Sequence, residues 1–563
     1  MSETAGGAAV PRTKTVAIAL LLLVLLMVAL CAPTMRTGLW EDELIQINST
    51  AQPTLLAVWQ NMYGRMTDLH PPLSYILLYP FLQIFGVNDI AVRLPFLLCG
   101  LLLVPAMYWL GRTAHSHNVG LLAAFFAAVS PFENYFACQS RSYSLSTLLM
   151  ALSLTMYCQL IEPENNRRSL SFAGFVVSAA ALYYTEYTAG LLLPALAAAT
   201  ILIAFRYWRT EATRTEAKMV LKAGMGGIIL AGLLFLPWLH SLALQTPHPP
   251  LNAPQPVSAW PFIIWYNTIM MLPIPAIVGI EVEKLAAVCF LIWAIHRCSK
   301  STIPVALASA RRSIGATRAP TIVLLCSLLL PCSLIGIIIP WFFGYYRYIY
   351  PYSPAGWTVL AILLCTIFAR LNRTVVIALL VSTLIINGAY IAWWNTRPQS
   401  AIRGLAQDVL SGKYDNSAFL LLSDIELGPS FDYYLRAAER QAHHITVYGY
   451  PRFKDPFTII ETQEISKDFQ STEMLAQAEN NIDNLQKKGC KRLILVSEFD
   501  RQVALLTTPT IPRKARFDSL RQFLDKNYKK LPPVKASTDQ FTLDYDGITE
   551  GITVTVYDLT HAP

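Results

Sequence analysis

Along residues 1–395 the apolar positions come in long runs, and the polar positions are gathered into short clusters between them. Runs near 15–33, 92–111, 118–135, 142–161, 169–185, 187–205, 219–239, 283–296, 319–341, 353–369 and 374–394 approach the ~20 residues that carry a helix across ~30 Å of hydrocarbon. They predict about eleven membrane-crossing helices. Two more stretches, 71–86 and 261–280, are apolar but broken by Pro71, Pro72 and Pro80 and by Pro261, Pro273 and Pro275. Each reads as interfacial, re-entrant or spanning, so the count runs from about 11 to 13.

The pattern changes after Asn395. Ala418–Leu422 is a short apolar run, Phe431–His443 is helix-like and His444–Tyr448 strand-like. Glu473–Lys488 has the composition of a polar helix, Lys491–Ser497 reads as a buried strand, and Ile552–Tyr557 alternates with period two. The expectation is a polytopic α-helical body over 1–395, with an outside loop at 36–70, followed by a soluble α/β domain over 396–563.

Charge sharpens that division. Of 563 residues only 14% are charged and mean hydropathy is +0.42, too few charges for an ordinary cytosolic enzyme and too apolar for a disordered chain. Residues 1–395 hold 37 charges and residues 396–563 hold 43, as expected of a membrane body and a soluble tail. The net charge of +8 arises in the body, which excludes a basic nucleic-acid-binding domain. Nine of ten cysteines lie in or beside apolar segments, and only Cys490 is in the tail. Neither a disulfide lattice nor a CxxC metal site is available there.

With the amino terminus inside and neither ambiguous stretch crossing, 17 of the 23 Lys/Arg of the body fall on the cytoplasmic side, as the positive-inside rule requires. The tail then lies outside. The first segment ends in VALCAP, but Leu30 before Cys31 is a poor lipobox residue, so an uncleaved helix is expected.

Four polar clusters share the outside face of this topology. The first opens with Glu41, Asp42 and Glu43 and closes with Asp68, His70, Pro71 and Pro72. Three adjacent acids repel and raise at least one pKa, a cost expected where carboxylates do chemistry, although a solvated acidic loop has the same composition. The second runs SPFENYFACQSRSY from Ser130 to Tyr143, with Glu133, Gln139 and Arg141; an arginine at a helix mouth suits bidentate capture of phosphate or carboxylate, or snorkels to the interface. The third is YYTEYT around Glu186. The fourth carries Arg347 and Tyr348 among five tyrosines, an aromatic belt or a lipid-phosphate contact. Acids with isolated arginines on one face suit an anionic, membrane-borne substrate. The acids' ligand type also admits a divalent cation, without requiring one.

The order Asp42-Glu43, His70-Pro71-Pro72-Leu73, Arg93-Leu94-Pro95, Ser130-Pro131-Phe132, Arg141-Ser142-Tyr143 and Arg347-Tyr348 with Pro351 and Pro354 resembles the bacterial membrane glycosyltransferases of the GT-C superfamily. The resemblance is to the family 39, dolichyl-phosphate-mannose-protein mannosyltransferase-like group, which includes lipid A aminoarabinose transferases, and it spans roughly 15–395. It implies an inner-membrane enzyme that moves a sugar from a polyprenyl-phosphate donor to a hydroxyl of a lipid, glycan or protein acceptor on the outer face, with inversion. Asp42, with Glu43 second, matches the general base. Arg347 and Arg141 match the donor phosphate contacts and His70 and Tyr143 the pocket, with Glu133, Gln139, Glu186 and Tyr348 as further candidate substrate-binding residues. Two places depart from the pattern: Gln139 stands where relatives have an acid, and Glu186 precedes Tyr187 where relatives have His. The rival reading is a transporter or flippase of lipid-linked sugars, which would place charges near the middle of spans; here they sit at helix mouths.

Overall fold

The computed structural model describes residues 13–39, 41–63, 70–209, 211–245, 319–333, 349–395, 401–422, 428, 431–450, 472–498, 518–531, 541–543 and 549–560. The stretch 261–280, the run 283–296, and Arg347 and Tyr348 lie outside the described residues.

The body is helical: α1 (Thr13–Cys31), α5 (Leu94–Ala114), α6 (His117–Val129), α7 (Pro131–Ala137), α8 (Tyr143–Leu160), α9 (Arg168–Tyr183), α10 (Leu192–Trp208) and α11 (Arg214–Gln245), then Ala319–Ser333, Ile349–Phe368 and Arg373–Asn395; three further helices, α2 (Glu41–Thr50), α3 (Leu55–Met62) and α4 (Leu73–Phe85), follow α1. Among the described residues, Thr13–Arg36, Leu94–Ala114, Tyr187–Trp208 and Glu211–Leu244 are long and apolar enough to cross a membrane. Leu73–Phe85, His117–Val129 and Arg168–Tyr183 are shorter apolar helices. At 13 residues, α4 is about 20 Å long, less than the hydrocarbon thickness. Ile18, Leu21, Leu22 and Leu25 on α1, and Ile229, Leu233 and Leu234 on α11, are exposed. Contiguous outward leucines of this kind suit lipid rather than water. The protein is a multi-pass membrane protein.

Inside the bundle, small and hydroxylated residues take over. A Cβ on Gly120 would sit 2.5 Å from the Tyr108 carbonyl oxygen, and one on Gly111 would sit 2.8 Å from the Gly120 Cα, so α5 and α6 meet backbone to backbone. Polar bonds bridge other pairs: Ser153 Oγ to Ser178 Oγ at 3.1 Å between α8 and α9, and Tyr157 to Thr200 between α8 and α10. Thr147 and Thr155 return their hydroxyls to Tyr143 and Ala151 carbonyls at 3.0 and 2.7 Å. These bonds satisfy polar groups where no water is available.

The apolar run 118–135 is not one helix. Pro131 pushes Ser130 to φ −63, ψ 124, the extended region a residue before proline prefers, and α6 ends. The same Ser130 side chain accepts from the Glu133 N–H at 3.4 Å and starts α7, with Pro131 at its first position. The SPF motif is thus a stop and a start in one residue. The segment expected to be a loop after α1 likewise holds two helices, α2 and α3, among its described residues. In the tail, Phe431–His443 is interrupted at Leu435–Arg436 and restarts as the helix Ala437–Ala442, where the Glu439 side chain accepts from the Arg436 N–H at 2.8 Å.

The tail sheet runs β2-β1-β3-β6-β4, with β5 on β6: β1 (Ser417–Leu422), β2 (Thr446–Tyr450), β3 (Arg492–Glu498), β4 (Lys529–Lys530), β5 (Phe541–Leu543) and β6 (Thr549–Asp558). β1 is parallel to β2 and β3, and β6 is antiparallel to β3. Leu420, Leu493, Leu495 and Tyr557 pack on one face against the helices Thr472–Lys487 and Asp518–Asn527. Phe419, Leu421, Ile494, Val496 and Val556 pack on the other against the helix Ala401–Leu410, Phe431 and Leu435. Both faces are covered, which is why KRLILVS is continuously apolar rather than alternating. Each such side chain contributes roughly 1.5–3 kcal/mol by burial.

Contacts divide the chain into two compact units, one of 1–35, 93–239 and 254–391 and one of 36–92, 240–253 and 392–563. The segment 36–92, which carries α2, α3 and α4, groups with the tail, so the division does not fall at a single cut near 395. Long-range bonds account for it: Tyr434 accepts from the Leu39 N–H, and Arg403 pairs with Asp89.

Candidate active site

In the unit that contains the tail, Glu41, Asp42 and Glu43 are the first residues of α2. The free N–H groups and positive dipole end of a helix favour carboxylates there, and this compensates the repulsion expected of three adjacent acids. Helical spacing separates their fates. Glu43 is buried, and with Gln46, Ile47 and Thr50 it forms a buried stripe at i, i+3, i+4 and i+7, whereas Asp42 stays half-exposed. The stripe is mostly polar. Thr50 donates to the Gln46 carbonyl at 2.8 Å. The Gln46 amide nitrogen and, on the neighbouring α4, the Ser74 hydroxyl are buried with no hydrogen-bond partner among the described residues. His70, half-buried, stands just before α4.

In the helical unit the second cluster spans α7 and the start of α8. Glu133, Asn134, Gln139, Ser140, Arg141, Ser142 and Tyr143 are all buried. Two contacts fix the segment from below: the Cys31 thiol at the end of α1 lies 3.9 Å from the Asn134 carbonyl oxygen, and the Cys138 thiol lies 3.6 Å from that of Cys31. The Ser144 hydroxyl donates to the Phe136 carbonyl at 2.8 Å, and the rings of Phe136 and Tyr143 meet edge to face at 4.6 Å. Tyr143 is therefore a packing residue of this turn as well as a candidate pocket residue.

Within this rigid turn several polar atoms are uncommitted. Glu133 Oε1, both side-chain atoms of Asn134, Gln139 Oε1 and Ser142 Oγ are buried with no hydrogen-bond partner among the described residues. Each such group costs about 1–3 kcal/mol while it stays unsatisfied. Burial pushes the Glu133 carboxyl well above the usual carboxylate range. The same burial favours the protonated form, in which a carboxyl donates a hydrogen bond as well as accepting one. Together these groups can ligate a polar, hydroxyl-rich or anionic molecule whose own groups replace the missing partners.

Glu186 caps the short 3-10 turn Tyr187–Leu191, where Oε1 accepts from the Thr188 N–H at 3.5 Å and hydroxyl at 3.3 Å. Tyr187 accepts from the Trp238 indole N–H at 2.8 Å. The acid thus has a local structural role whatever else it does. Among the described residues, no three His, Cys, Asp or Glu side chains cluster so as to hold a metal.

Of the residues singled out by sequence, Asp42 and Glu43 share one helix, and Glu133, Gln139, Arg141 and Tyr143 share one turn. Asn134 and Ser142 carry uncommitted polar atoms but have no assigned role in the sequence pattern, since short polar residues beside charged ones give no signal of burial.

Residues 69–240 match the family profile "Dolichyl-phosphate-mannose-protein mannosyltransferase". The solved structure of ArnT from Cupriavidus metallidurans in the apo state aligns over 97% of this chain and 98% of its own, at TM-score 0.53 and 12% identity. ArnT from the same organism bound to undecaprenyl phosphate aligns over 98% of each chain, at TM-score 0.53 and 11% identity. The chain has the GT-C fold. The expected architecture, a polytopic helical body with a small α/β domain behind it, follows the GT-C plan along nearly the full length. Among curated proteins none matches the sequence significantly.

Proposed function

We propose that this GT-C protein is an inner-membrane glycosyltransferase that moves a sugar from a polyprenyl-phosphate donor to an acceptor hydroxyl on the outer face, with inversion. The observation that carries the reading is the mannosyltransferase-family match over 69–240, which takes in His70, Glu133, Gln139, Arg141, Tyr143 and Glu186. The ArnT structure that holds undecaprenyl phosphate, similar over 98% of this chain, supports the choice of donor class.

Asp42 is the general base. Half-exposed at the start of a helix, it can reach an acceptor hydroxyl and take its proton as the hydroxyl oxygen attacks the anomeric carbon, whereas Glu43 on the next position is turned into the protein. The bond to the phosphate breaks, and the lipid phosphate leaves as an anion. It needs cationic donors rather than an acid, the role assigned to Arg141 and Arg347. Glu133, Asn134, Gln139 and Ser142 orient sugar hydroxyls. The amino terminus faces the cytoplasm and the tail the outside.

The test is turnover of a panel of radiolabelled polyprenyl-phosphate sugars by the purified protein, reconstituted with envelope extract as the acceptor source. Label transferred from one donor supports the reading. Donor carried across sealed vesicles without cleavage would replace it with lipid-linked sugar transport.

A further inference from the structure

The segment that carries the acidic helix is held at both of its ends by the tail. Arg403, on the helix Ala401–Leu410, donates from Nη1 to the Arg36 carbonyl at 2.9 Å and pairs with Asp89 Oδ2 at 3.4 Å. Arg36 opens the segment 36–92 and Asp89 lies near its close, so one guanidinium spans the two ends. Two adjacent tyrosines add to it. Tyr433 donates to Asp89 Oδ1 at 2.9 Å, and the Tyr434 hydroxyl accepts from the Leu39 N–H, two residues before α2. The two rings pack edge to face at 4.8 Å. The hydroxyls thus grip opposite ends of the segment from one rigid support, which itself packs on the sheet through Phe431 and Leu435.

We infer that Arg403, Tyr433 and Tyr434 are positioning residues, through which the tail fixes the orientation of α2 and hence of Asp42. The α2 helix has only 10 residues, too few to be stable by itself in water. Its buried face mixes Glu43, Gln46, Ser49 and Thr50 with two large apolar side chains, Leu44 and Ile47, so apolar burial holds it only in part. Fixing both ends of a segment removes freedom that the reaction would otherwise have to supply at each turnover, and small misplacements of a base are costly. This gives residues 396–563 a part in the chemistry without contact to substrate. It rests on the assignment of Asp42 as base for its catalytic consequence, but not for the tether itself.

The experiment is hydrogen exchange across Glu41–Thr50 together with donor kinetics, in the full-length protein, for Arg403→Ala, Arg403→Lys, Tyr434→Phe and Asp42→Asn. Tyr434→Phe removes one oxygen and keeps the ring, so it folds even if Arg403→Ala does not. The tether predicts at least tenfold faster exchange in α2 for Arg403→Ala and Tyr434→Phe, with exchange in β1 and β3 unchanged. It also predicts kcat lowered about tenfold, donor KM within twofold, and partial recovery in Arg403→Lys. Unchanged α2 exchange in Tyr434→Phe, with wild-type kcat, would overturn it. Asp42→Asn should lose turnover with wild-type α2 exchange. If that variant turned over normally, the base assignment would fall while the exchange data still judged the tether.

Discussion

Two regions of this molecule start a helix with a carboxylate, and they treat it oppositely. Asp42 begins α2 half-exposed, whereas Glu133, in the first turn of α7, is only 1% exposed and has an oxygen with no hydrogen-bond partner among the described residues. Both benefit from the helix dipole. Only Glu133 bears the full cost of desolvation, which pushes its carboxyl up. The difference teaches that sequence position at a helix start does not define a side chain's surroundings: one carboxylate stays half-exposed, while the other is kept dry with an oxygen unbonded among the described residues.

The sharpest way to break this contrast is to neutralise each acid in turn. Asp42→Asn should lower transfer by about 10²–10⁴-fold, the range for loss of a general base, with insertion and thermal unfolding in detergent unchanged. Glu133→Gln keeps shape and hydrogen-bonding capacity, so turnover should fall far less, about tenfold or under. If the two variants lost activity equally, the division of roles would be lost.

Stability against pH separates the two sites a second way. A group whose folded pKa lies above its unfolded value stabilises the fold fully below the unfolded pKa, and that contribution is lost as pH rises through the folded pKa. For Glu133 the shift is upward, so wild-type unfolding temperature should fall as pH rises from the ordinary glutamate range toward the raised folded value. Glu133→Gln should flatten that slope, which thermal unfolding across pH measures directly. An unchanged slope would remove Glu133 from the account.

A structural control belongs to neither acid. Gly120→Ala would drive a Cβ to 2.5 Å from the Tyr108 carbonyl oxygen and 3.1 Å from the Arg112 nitrogen. These are backbone atoms, so α5 and α6 must separate, at a cost of about 1–3 kcal/mol. Unfolding temperature should drop with donor KM unchanged. Comparable in size, Trp238→Phe removes the bond to Tyr187 and shrinks a fully buried ring, and should cost about 1–3 kcal/mol.

Much of this architecture was legible in the sequence because its causes are local or periodic. The buried strand KRLILVS emerged as Arg492–Glu498 and the polar helix as Thr472–Lys487. The run 118–135 misled because hydropathy cannot see that Pro131 ends one helix and lets Ser130 cap the next. Asp42 and Glu43 stood out as a pair, but only helical spacing distinguishes the half-exposed acid from the buried one. The tether was invisible for a different reason: Arg403 and Arg36 are 367 residues apart, and Tyr433 and Asp89 are 344 apart. No motif spans such separations, and single Arg and Tyr residues in a soluble tail carry no signature.

The most direct measurement is single-turnover transfer from a polyprenyl-phosphate sugar by reconstituted wild type beside Asp42→Asn, with donor binding measured in parallel. The account predicts equal donor binding in both proteins and sugar transfer in the wild type alone. Equal transfer by the two proteins would contradict it.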